Sequence, residues 1–178
     1  MDSSWLGRAV RGLAGYVALA GGTVLIVITT TTVVSIIGRI LIPLGLKPIP
    51  GDVEIVQAGM LFAILCFLPW AHLTRGHAIV AILTDRFPTR FNAFLEFLMD
   101  VLMLAVALFI IWRFQAGLFD KIGNRESSFI LRYPIWWSYA AGLIGLGTFV
   151  IVAAYCAVRS GRNAFSANPV RPLSEMGE

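Results

Sequence analysis

Four apolar runs leave this chain almost no choice of fold. They cover 13–37, 54–73, 91–112 and 135–158, each 20 to 25 residues long. At 1.5 Å per residue, a helix of that length crosses a hydrocarbon core of about 30 Å, the first and last with some tilt. Of the 178 residues 58% are hydrophobic and 13% charged, about half the charge of a typical soluble domain, which points away from a water-soluble fold. The expectation is an all-α integral membrane protein: a single membrane domain over 1–178 with four transmembrane helices, no soluble catalytic domain, and a cytoplasmic tail over 159–178. The first run follows Arg8 and Arg11, exceeds the h-region of a signal peptide and precedes no small-residue cleavage pattern, so it reads as a retained span.

Four spans put both termini on one side of the membrane. With the termini inside, the cytoplasm receives Arg8, Arg11, Arg75, Arg86, Arg90, Arg159, Arg162 and Arg171. The other side receives Arg39, Lys47, Arg113, Lys121, Arg125 and Arg132. The bias favours cytoplasmic termini. These basic residues are scattered among span ends rather than gathered on one face, so nucleic acid is not an expected partner. Cys66 and Cys156 lie within spans, where they read as buried thiols rather than as a disulfide framework or metal site.

In the first connection Pro43, Pro48, Pro50 and Gly51 block helix propagation, and Asp52 can act as an N-cap for span two. The third connection, read as Gln115 to Tyr133, mixes Asp120, Lys121, Arg125 and Glu126 with Phe129, Ile130 and Leu131. That mixture suggests a segment lying against something. Tyr133, Trp136, Trp137 and Tyr139 open span four and read as interfacial aromatics at the headgroup level. Small residues recur every fourth position at Ala14, Ala18 and Gly22, and at Ala141 and Gly145, a spacing that permits close helix approach in lipid.

Between spans two and three, a helix over about 78–87 would carry Ala81, Thr84 and Asp85 on one face, together with His77 just before it, and Ile79, Ile82, Leu83 and Phe87 on the other. Ten residues cannot span, so this segment is expected to lie in the membrane interface and to end at Pro88. His77 reads first as a surface hydrogen-bonder that fixes the turn, and after that as a proton carrier or a metal or haem ligand. The ligand reading is the weakest, because no carboxylate or thiol stands at ligand spacing to complete a zinc site and no second histidine faces it from another span to hold haem. No metal and no cofactor are expected.

Ionisable groups inside spans are candidate functional positions by default. Glu54 sits in the first turn of span two, where the helix dipole favours a carboxylate, and Arg39 at the end of span one is an alternative partner. Asn92, Glu96 and Asp100 form an i, i+4, i+8 stripe on span three. Counted from a start near Thr89, Asp100 falls about 16 Å along the helix axis, well below the headgroups. Either a cation approaches this stripe or one carboxyl is protonated. Phosphate-cradling loops, HExxH, CxxC, GxSxG and dinucleotide fingerprints are absent from the sequence, as are catalytic and substrate-binding residues at the midplane. A small four-helix membrane enzyme acting on a lipid-like or thiol substrate is the competing class, with Arg75, His77, Arg86 and Arg90 as its only converging groups.

The segments SIIGRILI closing span one, PGDVEIVQAGMLF opening span two, RGHAIVAILTDRFP and SSFILRYPIWWSYAAG leading into span four resemble the small membrane subunit, DctQ type, of tripartite ATP-independent periplasmic (TRAP) transporters. The resemblance covers most of the chain. It departs from the family's usual look at Pro50, Gly51, Asp52 and Glu54, where a Trp and paired acids often stand, and at Ala81, often an acid. The resemblance implies a bacterial inner-membrane scaffold subunit that binds no substrate and braces a large M-type permease subunit. That permease would work by an elevator mechanism in symport of an organic acid delivered by a periplasmic P-type binding protein. Arg39, Glu54, Arg75, His77, Asp85, Glu96 and Asp100 are then expected among the structural and partner contacts.

Overall fold

The computed structural model describes residues 5–74 and 89–164, with side chains described from 91 onward in the second stretch. The amphipathic segment expected over 78–87, with Arg75, His77 and Asp85, lies outside the described residues, as does the tail beyond 164. Helix α1 spans Trp5–Ile40, α2 Asp52–Leu73, α3 Thr89–Gly123 and α4 Trp136–Ala164, with a short 3₁₀ turn at Ile42–Leu44. All four are long and apolar enough to cross a membrane, and among the described residues the only β feature is an isolated bridge between Ser127 and Pro134. The protein is therefore an all-α, multi-pass architecture.

The helices outrun the apolar stretches that announce them. The largest difference is in α3, which continues through Gln115–Gly123, a stretch whose polar residues suggested a loop. Packing explains the extension: the Phe114 and Tyr139 rings lie 4.9 Å apart, and a Cβ added at Gly117 would stand 3.0 Å from the Tyr139 ring. The first turns of α4 thus give α3 a surface to continue along. Tyr139, expected at the membrane interface, packs between these two helices.

The helices are arranged as a row rather than a closed ring. In the most apolar window of each, half of α4 is buried but only 11% of α1 and of α3. Helix α4 packs against α3 on one side and α2 on the other, α2 in turn packs against α1, and α1 also touches α4 where Ala14 meets Val152 and Cys156. The outer faces of α1 and α3 stay open, with Leu19, Ile26, Leu102 and Phe109 among their exposed residues.

Close approach is built on small residues, though only partly those spaced by four. The buried line on α1 is Ala14, Gly21, Ile28 and Ser35, a seven-residue repeat of the kind that follows a left-handed crossing. A Cβ at Gly21 would lie 2.9 Å from that of Cys66. Between α2 and α4 the contact reaches the backbone: a Cβ at Gly145 would stand 2.7 Å from the Leu65 carbonyl oxygen. Pro69, inside α2, has no N–H to offer that carbonyl four residues back. The freed oxygen therefore faces the one kind of residue that lets a neighbouring backbone come up to it. The hydroxyls of Thr29, Thr30, Thr31 and Thr32 each donate to the carbonyl four residues earlier, at 2.8 Å, so this polar run costs the apolar helix no unsatisfied group.

Helix α2 is the short member, 22 residues against 36, 35 and 29. Its last residue, Leu73, packs with Val10 and Tyr155 on a cluster of Ala14, Val152 and Cys156. The first turns of α1 and the last turns of α4 thus project past its end, carrying Arg8 and Arg11 on one and Arg159 and Arg162 on the other.

Candidate functional site at the two ends of α2

Helix α2 carries a polar cluster at each end. At its start Gly51 occupies the N-cap with φ +77, so Asp52 is the first helical residue and not the cap that the sequence suggested. Its carboxylate turns toward α1. Oδ2 accepts the hydroxyl of fully buried Ser35 at 2.6 Å, Oδ1 accepts the Val53 N–H at 2.8 Å, and the Arg39 guanidinium stands 3.7 Å from Oδ2. Arg39 therefore pairs with Asp52, where Glu54 was the partner considered from the sequence. A glycine at 38 lets the first connection fold back here, since a Cβ would lie 2.6 Å from the Lys47 carbonyl oxygen.

Glu54, also in the first turn of α2, is used differently. It accepts the Ser128 hydroxyl and the Leu131 N–H on Oε2, the latter at 3.0 Å, and the Ile130 N–H on Oε1 at 2.9 Å. It neither caps its own helix nor meets Arg39. It holds the connection between α3 and α4, 74 to 77 residues away in sequence. The Leu131 side chain lies over Gly51, where a Cβ would come within 2.6 Å of it.

The connection is prepared for that role by its own turns. Helix α3 ends in a Schellman motif: Arg125 has φ +48, its N–H donates to the Ile122 carbonyl, and the Glu126 N–H reaches back to that of Lys121. The Lys121 ammonium meets the Glu126 carboxylate at 2.6 Å. Next, Ser128 N–H donates to the Tyr133 carbonyl at 3.0 Å and Ile135 N–H to that of Glu126 at 3.1 Å. The tip Phe129–Arg132 is thereby closed as a tight loop, with Arg132 at φ +53 turning the chain back.

At the other end of α2, His72 is the residue the sequence reading passed over in favour of His77. It is buried, its Nε2 lies 3.8 Å from Oδ1 of buried Asp100 on α3, and its ring meets Phe149 of α4 edge-on at 5.9 Å. Asn92 is buried on the same stripe of α3, and Glu96 between them is half-buried. The stripe thus faces the protein. The available signal was the need itself, because two carboxylates at helical spacing require a donor opposite and His72 stands in the last turn of the preceding span.

This pairing also corrects the depth of Asp100. It lies level with the last turn of α2, so the first turns of α3 project beyond that level, as those of α1 do. From Asp100 to Gly123 is about 34 Å of helix, and from Asp52 to His72 about 30 Å. Both clusters therefore stand near the boundaries of a hydrocarbon layer, not at its middle. Among the described residues no group of three His, Cys, Asp or Glu could hold a metal ion. The surface groove lined by Ile26, Val27, Thr30, Thr31, Val34 and Ile49 has no ionisable group in it.

The family model described as "Tripartite ATP-independent periplasmic transporters, DctQ component" matches residues 25–163, which include the three connections and both clusters. The chain belongs to the DctQ family. It is a multi-pass membrane component of a TRAP transporter, and this family is a transporter component rather than an enzyme. Comparison with curated proteins and with solved structures gives no match.

Proposed function

We propose that this DctQ subunit is the static scaffold of its transporter, bracing a large M-type permease subunit during ion-coupled uptake of an organic acid brought by a periplasmic P-type binding protein. The observation that carries this reading is the row of helices. A carrier that holds its own substrate surrounds it with helices, whereas here α1 and α3 turn most of their apolar surface outward and the polar groups are engaged at the ends of α2. Large open apolar faces on a membrane helix row suit contact with lipid and with other helices.

Arg39, Glu54, Glu96 and Asp100, together with Arg75, His77 and Asp85, are proposed to include the contacts that fix this geometry and join it to the permease. In this proposal the subunit sits in the bacterial inner membrane with both termini cytoplasmic. The projecting ends with Arg8, Arg11, Arg159 and Arg162 support that orientation. Affinity purification of the tagged chain from cells that also express the M-type subunit is the test. A stable complex that transports labelled organic acids in proteoliposomes, and fails without this chain, is expected. Transport by the large subunit alone at the full rate would refute the scaffold role.

A further inference from the structure

The tip Phe129–Arg132 displays apolar side chains where a connection between spans ordinarily hides or lacks them. Phe129 is 98% exposed and Ile130 59%, on a loop that is nonetheless tightly held. Glu54 binds it at Ser128, Ile130 and Leu131, Leu131 covers Gly51, and two non-glycine residues, Arg125 and Arg132, adopt left-handed backbone. Left-handed backbone is strained at a non-glycine residue and persists only where the surroundings over-determine it.

We infer that this tip is a lipid-interface anchor, with Phe129 and Ile130 entering the headgroup and acyl boundary and Arg125 and Arg132 meeting lipid phosphates. Three observations choose lipid as the occupant. The loop is fixed to the first turn of α2, whose 22 residues measure about 33 Å, so that turn stands at headgroup level. The adjoining start of α4 exposes Trp136 and Trp137, the residues that mark the same level elsewhere in membrane proteins. Exposed arginines flank the apolar tip on both sides, which is the composition of a segment that lies in an interface between acyl chains and anionic phosphates. The inference needs only the membrane architecture and stands whether or not the scaffold reading does.

The test uses the full chain with Cys66→Ala and Cys156→Ala, carrying one nitroxide label at Phe129→Cys, in vesicles of phosphatidylethanolamine and phosphatidylglycerol. Electron paramagnetic resonance compares collisions with oxygen, which concentrates in lipid, and with a water-soluble nickel chelate. Labels at Ile64→Cys and Asn124→Cys serve as lipid and water references, and Ile130→Cys repeats the measurement should the first variant fold poorly. The expected depth at 129 is about 5–10 Å below the phosphates, and adding Glu54→Ala should move the label toward water. A label as open to the chelate as that at Asn124 would overturn the inference. So would one shielded from both reagents, or shielded only when a partner protein is present, because either places protein on the tip.

Discussion

At the start of α2, Glu54 collects a hydroxyl and two backbone N–H groups from one loop. At its end, His72 faces Asp100 across two helices at 3.8 Å, with Phe149 edge-on above. Both ends rely on a carboxylate, but the partners differ in kind. Backbone donors within a turn are set by local geometry, and any chain that makes the turn presents them. The histidine and the aspartate are side chains on separate helices, so their meeting depends on how those helices pack. The first arrangement orders a loop; the second reports on the bundle.

The sharpest way to break the comparison is at the buried end. Asp100→Ala or His72→Ala leaves the other partner buried without its counterpart and should cost about 3 kcal/mol. The double replacement by Leu should recover most of that loss, since a buried pair contributes little beyond a well-packed apolar one. Unfolding midpoints in detergent check both. If the double loses the sum of the two single losses, the two residues are not coupled.

Midway between the ends, Gly145→Ala puts a methyl group against the Leu65 carbonyl and forces α2 from α4. A loss of about 2 kcal/mol is expected, with a weakened His72–Asp100 contact that a double-mutant cycle with Asp100→Ala would read as non-additivity. Equal loss with full additivity would separate the ends energetically.

At the loop end, Glu54→Ala should move the global midpoint less than either buried substitution. Its effect is local, and amide exchange at Ile130 and Leu131 should rise by more than about tenfold, because these donors lose their acceptor and open to water. Exchange unchanged there would mean that the turn stands without Glu54. The smallest effect belongs to Arg125→Gly, which relieves left-handed backbone at the end of α3 and should stabilise by about 0.5 kcal/mol. It sharpens the contrast, since a backbone substitution of this kind has no counterpart at the His72 end.

How much of this could be read from the chain follows the same division. The four spans were legible because each apolar run exceeds the bilayer thickness, and the turn before α2 because Pro48, Pro50 and Gly51 forbid helix. Hydropathy alone did not carry α3 past Trp112, since what extends it is Tyr139 of another helix. The choice of Asp52 over Glu54 as the partner of Arg39 turns on a side-chain direction, and two acids two residues apart in one helix point to different sides. Asp100 was assigned its depth by counting from the start of its own helix, which assumed that all helices begin at one level. His72 shows that they do not. Ser35 and Ser128 carried no signal in the sequence, because a serine announces a partner only once the partner is in place.

The shortness of α2 has a mechanical consequence. Its two polar ends stand about 30 Å apart on one rigid rod, each tied to a different neighbour, α1 and the α3–α4 connection at one and α3 at the other. Such a rod acts as a depth gauge. Sliding it along the membrane normal by one helical turn would draw a carboxylate or the imidazole into hydrocarbon while pulling its opposite number off its partner, so both directions of motion are resisted at once. Helix α2 is thereby held in register with its neighbours, and the open faces of α1 and α3 keep their positions relative to it.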